Sequence, residues 1–149
     1  MAYSRIVQDW SKQFIAKYFE SFMTVLKQYR ISLLFIAVIL ALCFVNPPEV
    51  PDKLCMTDFD KLIHFLMFSG LSGSIFFDGS FHLRQKVSSR MVFGGTFLFP
   101  VAFSGGIEIA QEYLTTVRSG DWADFLFDVT GICCGYLVGL LINRKLKTK

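Results

Sequence analysis

The sequence predicts an all-α, polytopic membrane protein, with four transmembrane helices behind an N-terminal amphipathic helix in the membrane interface. Three observations predict it. The 149 residues are 53% hydrophobic and include 17 Phe, too apolar a mix for an ordinary soluble domain. The apolar residues fall in long runs divided by short polar segments, as expected of helices that satisfy their own backbone in lipid. Lys and Arg alternate between plentiful and sparse from one polar segment to the next, which gives such a chain its orientation.

Residues 1–30 form the interfacial segment and residues 31–149 the four-helix membrane domain. Residues 3–29 do not read as a signal peptide, because no small-residue cleavage site follows the first apolar run. They carry a helical stripe of Val7, Trp10, Phe14, Tyr18, Phe22 and Val25/Leu26. Lys12, Lys17, Glu20 and Lys27 lie opposite. Aromatics on one face and basic residues on the other suit a helix lying along a bilayer surface.

The first span covers Ile31–Val45, short of the roughly 20 residues a bilayer needs. Asn46-Pro47-Pro48 should stop it. The second span runs from Asp60 to about Phe77, with Ser69, Gly70, Ser72, Gly73 and Ser74 allowing close helix approach. A loop over residues 78–90 follows. The third span, Met91–Leu114, contains Pro100, which should kink it, as membrane helices tolerate when neighbours satisfy the freed carbonyl. The fourth, Trp122–Ile142, has Gly131, Gly135 and Gly139 on one ridge.

The N-terminal 30 residues, the 78–90 loop and the tail are rich in Lys and Arg, whereas the other two loops are poor. Both termini are therefore expected in the cytoplasm, with two short loops outside. Net charge is only +3, and nothing in its distribution points to nucleic acid. The bilayer is the expected partner. Cys43, Cys133 and Cys134 lie in apolar runs and Cys55 in a polar loop, without CxxC or zinc-ligand spacing. They read as small apolar residues.

This topology gathers the unusual polar residues on one side of the membrane. Asp60, Lys61 and His64 begin span two. Glu108, Gln111 and Glu112 end span three. Arg118, Ser119, Asp121 and Asp124 lie in the following loop and the start of span four, with Asp128 a turn deeper. Ionisable groups at such depth cost about 2.5–3.5 kcal/mol each on insertion scales and mark functional sites. Here six acids face Lys61 and Arg118. That excess calls for a cation or a proton, and Asp128, the deepest, is the candidate for a protonated carboxyl.

These residues also carry a resemblance. Asp60-Lys61-x-x-His64-Phe65, Gly106-x-Glu108-x-x-Gln111, Arg118-Ser119-Gly120-Asp121 with Asp124, and Asp128-x-x-Gly131-x-x-x-Gly135 resemble the VanZ-like membrane proteins, in order and spacing, over residues 58–136. The resemblance implies a small multi-helix protein of the bacterial inner membrane. Some members are associated with resistance to glycopeptides such as teicoplanin. It implies no settled reaction. Asp128 stands where the pattern would place a more neutral residue such as Asn, and the amphipathic N-terminus lies outside the resembling stretch.

Three functions fit this chemistry. In the first, Asp60, Lys61, His64, Glu108, Gln111, Arg118, Ser119, Asp121, Asp124 and Asp128 line an external pocket for a lipid-linked or cell-envelope precursor. Lys61 and Arg118 would supply the positive charge. In the second, His64, Glu108, Asp121 and Asp124 hold a divalent cation that acts on a lipid phosphate, with His64, Glu108 and Asp124 as catalytic candidates. No GxSxG or HExxH motif supports that reading. In the third, the chain is a structural accessory subunit that docks a protein partner or a second copy. Lys61 and Arg118 pairing with the acids would also suit a purely structural ion-pair network.

Overall fold

The computed structural model describes residues 2–44, 57–82, 89–115 and 120–147, with side chains at 12–44, 59–79, 90–115 and 120–144. Every regular element among them is helical: α1 (Ala2–Gln28), α2 (Arg30–Phe44), α3 (Thr57–His82), α4 (Ser89–Phe93), a π-helical turn (Gly94–Leu98), α5 (Phe99–Leu114) and α6 (Trp122–Lys147). Asn46-Pro47-Pro48, Cys55, Arg84, Lys86, Arg118 and Ser119 lie outside the described residues.

Among the described residues, three helices are long and apolar enough to cross a membrane: Phe59–Gly79, Arg90–Leu114 and Trp122–Arg144. They coincide with the second, third and fourth expected spans. The first differs. Helix α2 has 15 residues, which rise only about 22 Å, less than the roughly 30 Å of a hydrocarbon core. It forms a pair with α1, bent by 76° at Tyr29.

No Pro or Gly explains that bend. Its cause is a residue expected in a loop. Helix α3 continues past Phe77, so Asp78 is helical and buried. Its Oδ2 accepts from the Ser32 amide at 3.0 Å and from Ser32 Oγ at 2.7 Å. In an unbroken helix the Ser32 amide would bond to the Gln28 carbonyl. A carboxylate from α3 takes it instead and caps the start of α2, the kind of insertion that kinks helices.

The core lies where α3 meets α6 and α2, around Phe68, Leu71, Ile39 and Ile132. Helices α3 and α6 touch through glycine. A Cβ on Gly131 would collide with the Phe65 carbonyl, and one on Gly135 with the Ser69 carbonyl. Both obstacles are backbone, so these two positions set how close the helices come. Asp124, Asp128, Gly131 and Gly135 recur at helical spacing. The close-packed ridge and the buried acid therefore share one face of α6.

The third span stays helical across Pro100 by a specific exchange. Proline lacks an N–H, so the Thr96 carbonyl four residues earlier loses its α-helical donor. Ser72 Oγ of α3 donates to that carbonyl at 2.7 Å. The preceding turn widens to π geometry, with the Phe99 amide donating to the Gly94 carbonyl. The outer surface is apolar, with Leu98, Phe99, Leu126, Leu137 and Leu141 exposed, as a lipid-facing exterior requires. In the described part of α1, Phe14, Ile15, Tyr18, Phe19 and Phe22 are exposed. The other described residues do not cover this stripe.

Candidate functional site

Helical spacing builds the site from three elements. Asp60 and His64 are one turn apart on α3. Ser104, Glu108 and Gln111 follow at i, i+4, i+7 on α5, and Asp124 and Asp128 are one turn apart on α6. Where the three faces meet, His64 and Asp128 are buried, at 2% and 0% exposure. His64 Nδ1 lies 3.0 Å from Asp128 Oδ1. Ser104 Oγ, also fully buried, donates to Asp128 Oδ2 at 2.6 Å. Both Asp128 oxygens are thus engaged. Asp128 is the middle member of a Ser104–Asp128–His64 chain.

Glu108 is half-buried. Its Oε2 accepts from the Asp121 amide at 2.8 Å. Its Oε1 is fully buried, with no hydrogen-bond partner among the described residues. A ring nitrogen of His64 and carboxylate oxygens of Glu108 and Asp128 lie within 4.8 Å of one another. So do a ring nitrogen of His64 and carboxylate oxygens of Asp60 and Asp124. His64 belongs to both sets. Beside it lies a cavity of about 60 Å³, walled by Leu42, Cys43, Asp60, Ile63, His64 and Met67.

Other sequence candidates do different work. Asp121 Oδ1 accepts from the Ala123 amide at 2.8 Å, which makes Asp121 the N-cap of α6. It belongs to neither His64 set. Gln111 is buried and its Nε2 donates to the Cys43 carbonyl at 3.2 Å, holding the last turn of α2. Glu112 accepts from the Gly120 amide. Lys61 is half-buried. Among the described residues no Lys or Arg forms an ion pair with Glu108, Asp124 or Asp128; the pair there is His64–Asp128. Arg118 and Ser119 lie outside the described residues. Cys43 is buried, Cys133 half-buried and Cys134 exposed.

Sequence reasoning missed Ser104. The signal was available: it sits one turn before Glu108, on the same face. The arrangement also limits the chemistry. Ser104 donates to Asp128 rather than to a ring nitrogen, so it does not form the direct Ser–His pair of an activated serine nucleophile.

The profile of the VanZ/LLP1 family matches residues 3–143. The chain belongs to the VanZ/LLP1 family. The match takes in α1, so the amphipathic N-terminus is inside the family region rather than outside it. Membership of VanZ/LLP1 and the apolar helices make this a membrane-embedded protein, of a family linked to glycopeptide resistance. No curated protein and no solved structure matches the chain.

Proposed function

We propose that this VanZ/LLP1 protein binds the headgroup of a lipid-linked cell-envelope precursor in the pocket between α3, α5 and α6. In this reading the protein resides in the bacterial inner membrane with both termini cytoplasmic. Helix α1 lies in the interface, α2 supplies the remaining crossing, and the pocket opens to the external face. The supporting observation is the Glu108 carboxylate, which has a buried oxygen without a partner among the described residues, beside the buried His64–Asp128 pair. Buried polar atoms are nearly always satisfied, so an unsatisfied one next to a histidine suits an absent ligand. Lys61 and Arg118 are the residues assigned to a phosphate.

Metal-assisted hydrolysis of a lipid phosphate is the second reading, favoured by the two ligand sets that share His64. Binding without chemistry ranks first because the hydroxyl that the described residues bring into the cluster, Ser104, is fully buried and committed to Asp128.

Native mass spectrometry of the detergent-solubilised chain with a polyprenyl diphosphate-linked saccharide tests the proposal. The wild type should retain one lipid per chain. Asp124→Asn and Glu108→Gln should each weaken retention by about tenfold, the loss of one good polar contact of about 1.4 kcal/mol. Equal retention by all three proteins, or none by the wild type, rejects it.

A further inference from the structure

We propose that the polar cluster is a site for one divalent metal cation, ligated by His64, Glu108, Asp60 and Asp124, with Asp128 and Ser104 as positioning residues. This goes beyond precursor binding and does not depend on it, since the cation can be measured without any lipid ligand.

The argument starts at His64. It is almost fully buried, and its Nδ1 is taken by Asp128. Its other ring nitrogen, Nε2, makes no hydrogen bond among the described residues, and the ring walls a cavity together with Asp60. When a carboxylate accepts the Nδ1 proton, the neutral tautomer leaves a lone pair on Nε2. This carboxylate–histidine arrangement orients imidazoles for metals. Ser104 fixes Asp128 in turn.

Carboxylate oxygens converge on the same ring. Those of Asp60 and Asp124 come within 4.8 Å of a His64 nitrogen and of each other, while Glu108 forms a separate set with His64 and Asp128. Ligands bound about 2.1 Å from a metal stand about 3–4 Å apart, so closing the Asp60–His64–Asp124 set needs side-chain shifts of about 1 Å, and Glu108 would join the same ion by turning its carboxylate across the His64 ring. Glu108 supplies the independent observation: its Oε2 takes the Asp121 amide, but its Oε1 is fully buried and has no partner among the described residues. A cation would satisfy it and would balance acids that no Lys or Arg pairs with among the described residues, Glu108 and Asp124 in particular. Three carboxylates with one imidazole suit a hard or borderline ion of the Mn²⁺ type.

The test uses the full chain in uncharged detergent, stripped with chelator and titrated with Mn²⁺ alone, read by electron paramagnetic resonance. We expect one Mn²⁺ per chain, with hyperfine coupling to a histidine nitrogen. Glu108→Gln and Asp124→Asn should each weaken binding by about tenfold or more. Asp128→Asn should weaken it about 10–100-fold and shift the nitrogen coupling, as a lost outer partner of a ligating His does. Glu112→Gln should bind like the wild type. Absence of stoichiometric Mn²⁺, or bound Mn²⁺ without nitrogen coupling, overturns the proposal. Both are read on the wild type, so a variant that misfolds does not decide the matter. Equal weakening by Glu112→Gln overturns the location. Mn²⁺ binding without lipid retention would remove precursor binding and leave the cation site standing; the converse would remove the cation alone.

Discussion

Replacing Ser72 by Ala removes the hydroxyl that donates to the Thr96 carbonyl at 2.7 Å. Both residues are buried, at 0% and 4% exposure, so no water stands ready to replace it. A buried carbonyl left unmet costs about 1–3 kcal/mol. Interhelical hydrogen bonds in membranes average only about 0.6 kcal/mol, with a maximum near 1.7. Because this carbonyl has lost its α-helical donor to Pro100, Ser72→Ala should fall near the top of that membrane range, about 1.5 kcal/mol. The reasoning makes a sharper demand on the pair. Pro100→Ala restores an N–H four residues after Thr96. In that background Ser72→Ala should cost about 0.5 kcal/mol, a coupling of about 1 kcal/mol in a double-mutant cycle. Unfolding by sodium dodecyl sulfate in mixed micelles, followed by circular dichroism, measures all four proteins. An equal cost of Ser72→Ala in both backgrounds would refute the assignment of Ser72 as the donor that replaces the proline's missing N–H.

Gly131→Ala forces a methyl against the Phe65 carbonyl and should destabilise by about 1–3 kcal/mol. Gly73→Ala meets nothing within 4 Å and should be neutral or stabilising in the same unfolding assay. Asp78→Ala removes the acceptor of the Ser32 amide and should cost about 1–2 kcal/mol, the scale of a lost helix cap. It should also relax the 76° bend, read as a longer distance between spin labels at Lys17 and Val38. An unchanged distance would contradict the role given to Asp78.

The three long spans were legible because apolar run length and glycine punctuation are local properties. The gathering of Asp60, His64, Glu108, Asp124 and Asp128 was legible because alternating topology brings those chain segments to one side. What the sequence could not show depends on pairing across helices. Asp78 lies past the apolar run, where a loop is the natural reading, and only its contact with Ser32 reveals a buried cap. Gln111 and Asp121 look like ligands by residue type. Their partners, the Cys43 carbonyl and the Ala123 amide, make them fastenings of helix ends. The sequence also allowed an ion-pair network of Lys61 and Arg118 with the acids, whereas the pairing of Asp128 with His64 shows only in the packed helices.

The central claim is that Glu108 is kept for a ligand rather than for the fold, and one paired measurement tests it most directly. Glu108→Gln keeps the shape, and its amide oxygen can still accept from the Asp121 amide, but it removes charge from a half-buried carboxylate that has an unmet oxygen. Unfolding stability and retention of the polyprenyl-linked lipid are measured on the same preparation. The account predicts stability unchanged or raised by about 1 kcal/mol, as is common when a functional polar group is replaced, together with loss of lipid retention. A variant destabilised by about 2 kcal/mol or more that still held the lipid would make Glu108 a structural residue and contradict the account.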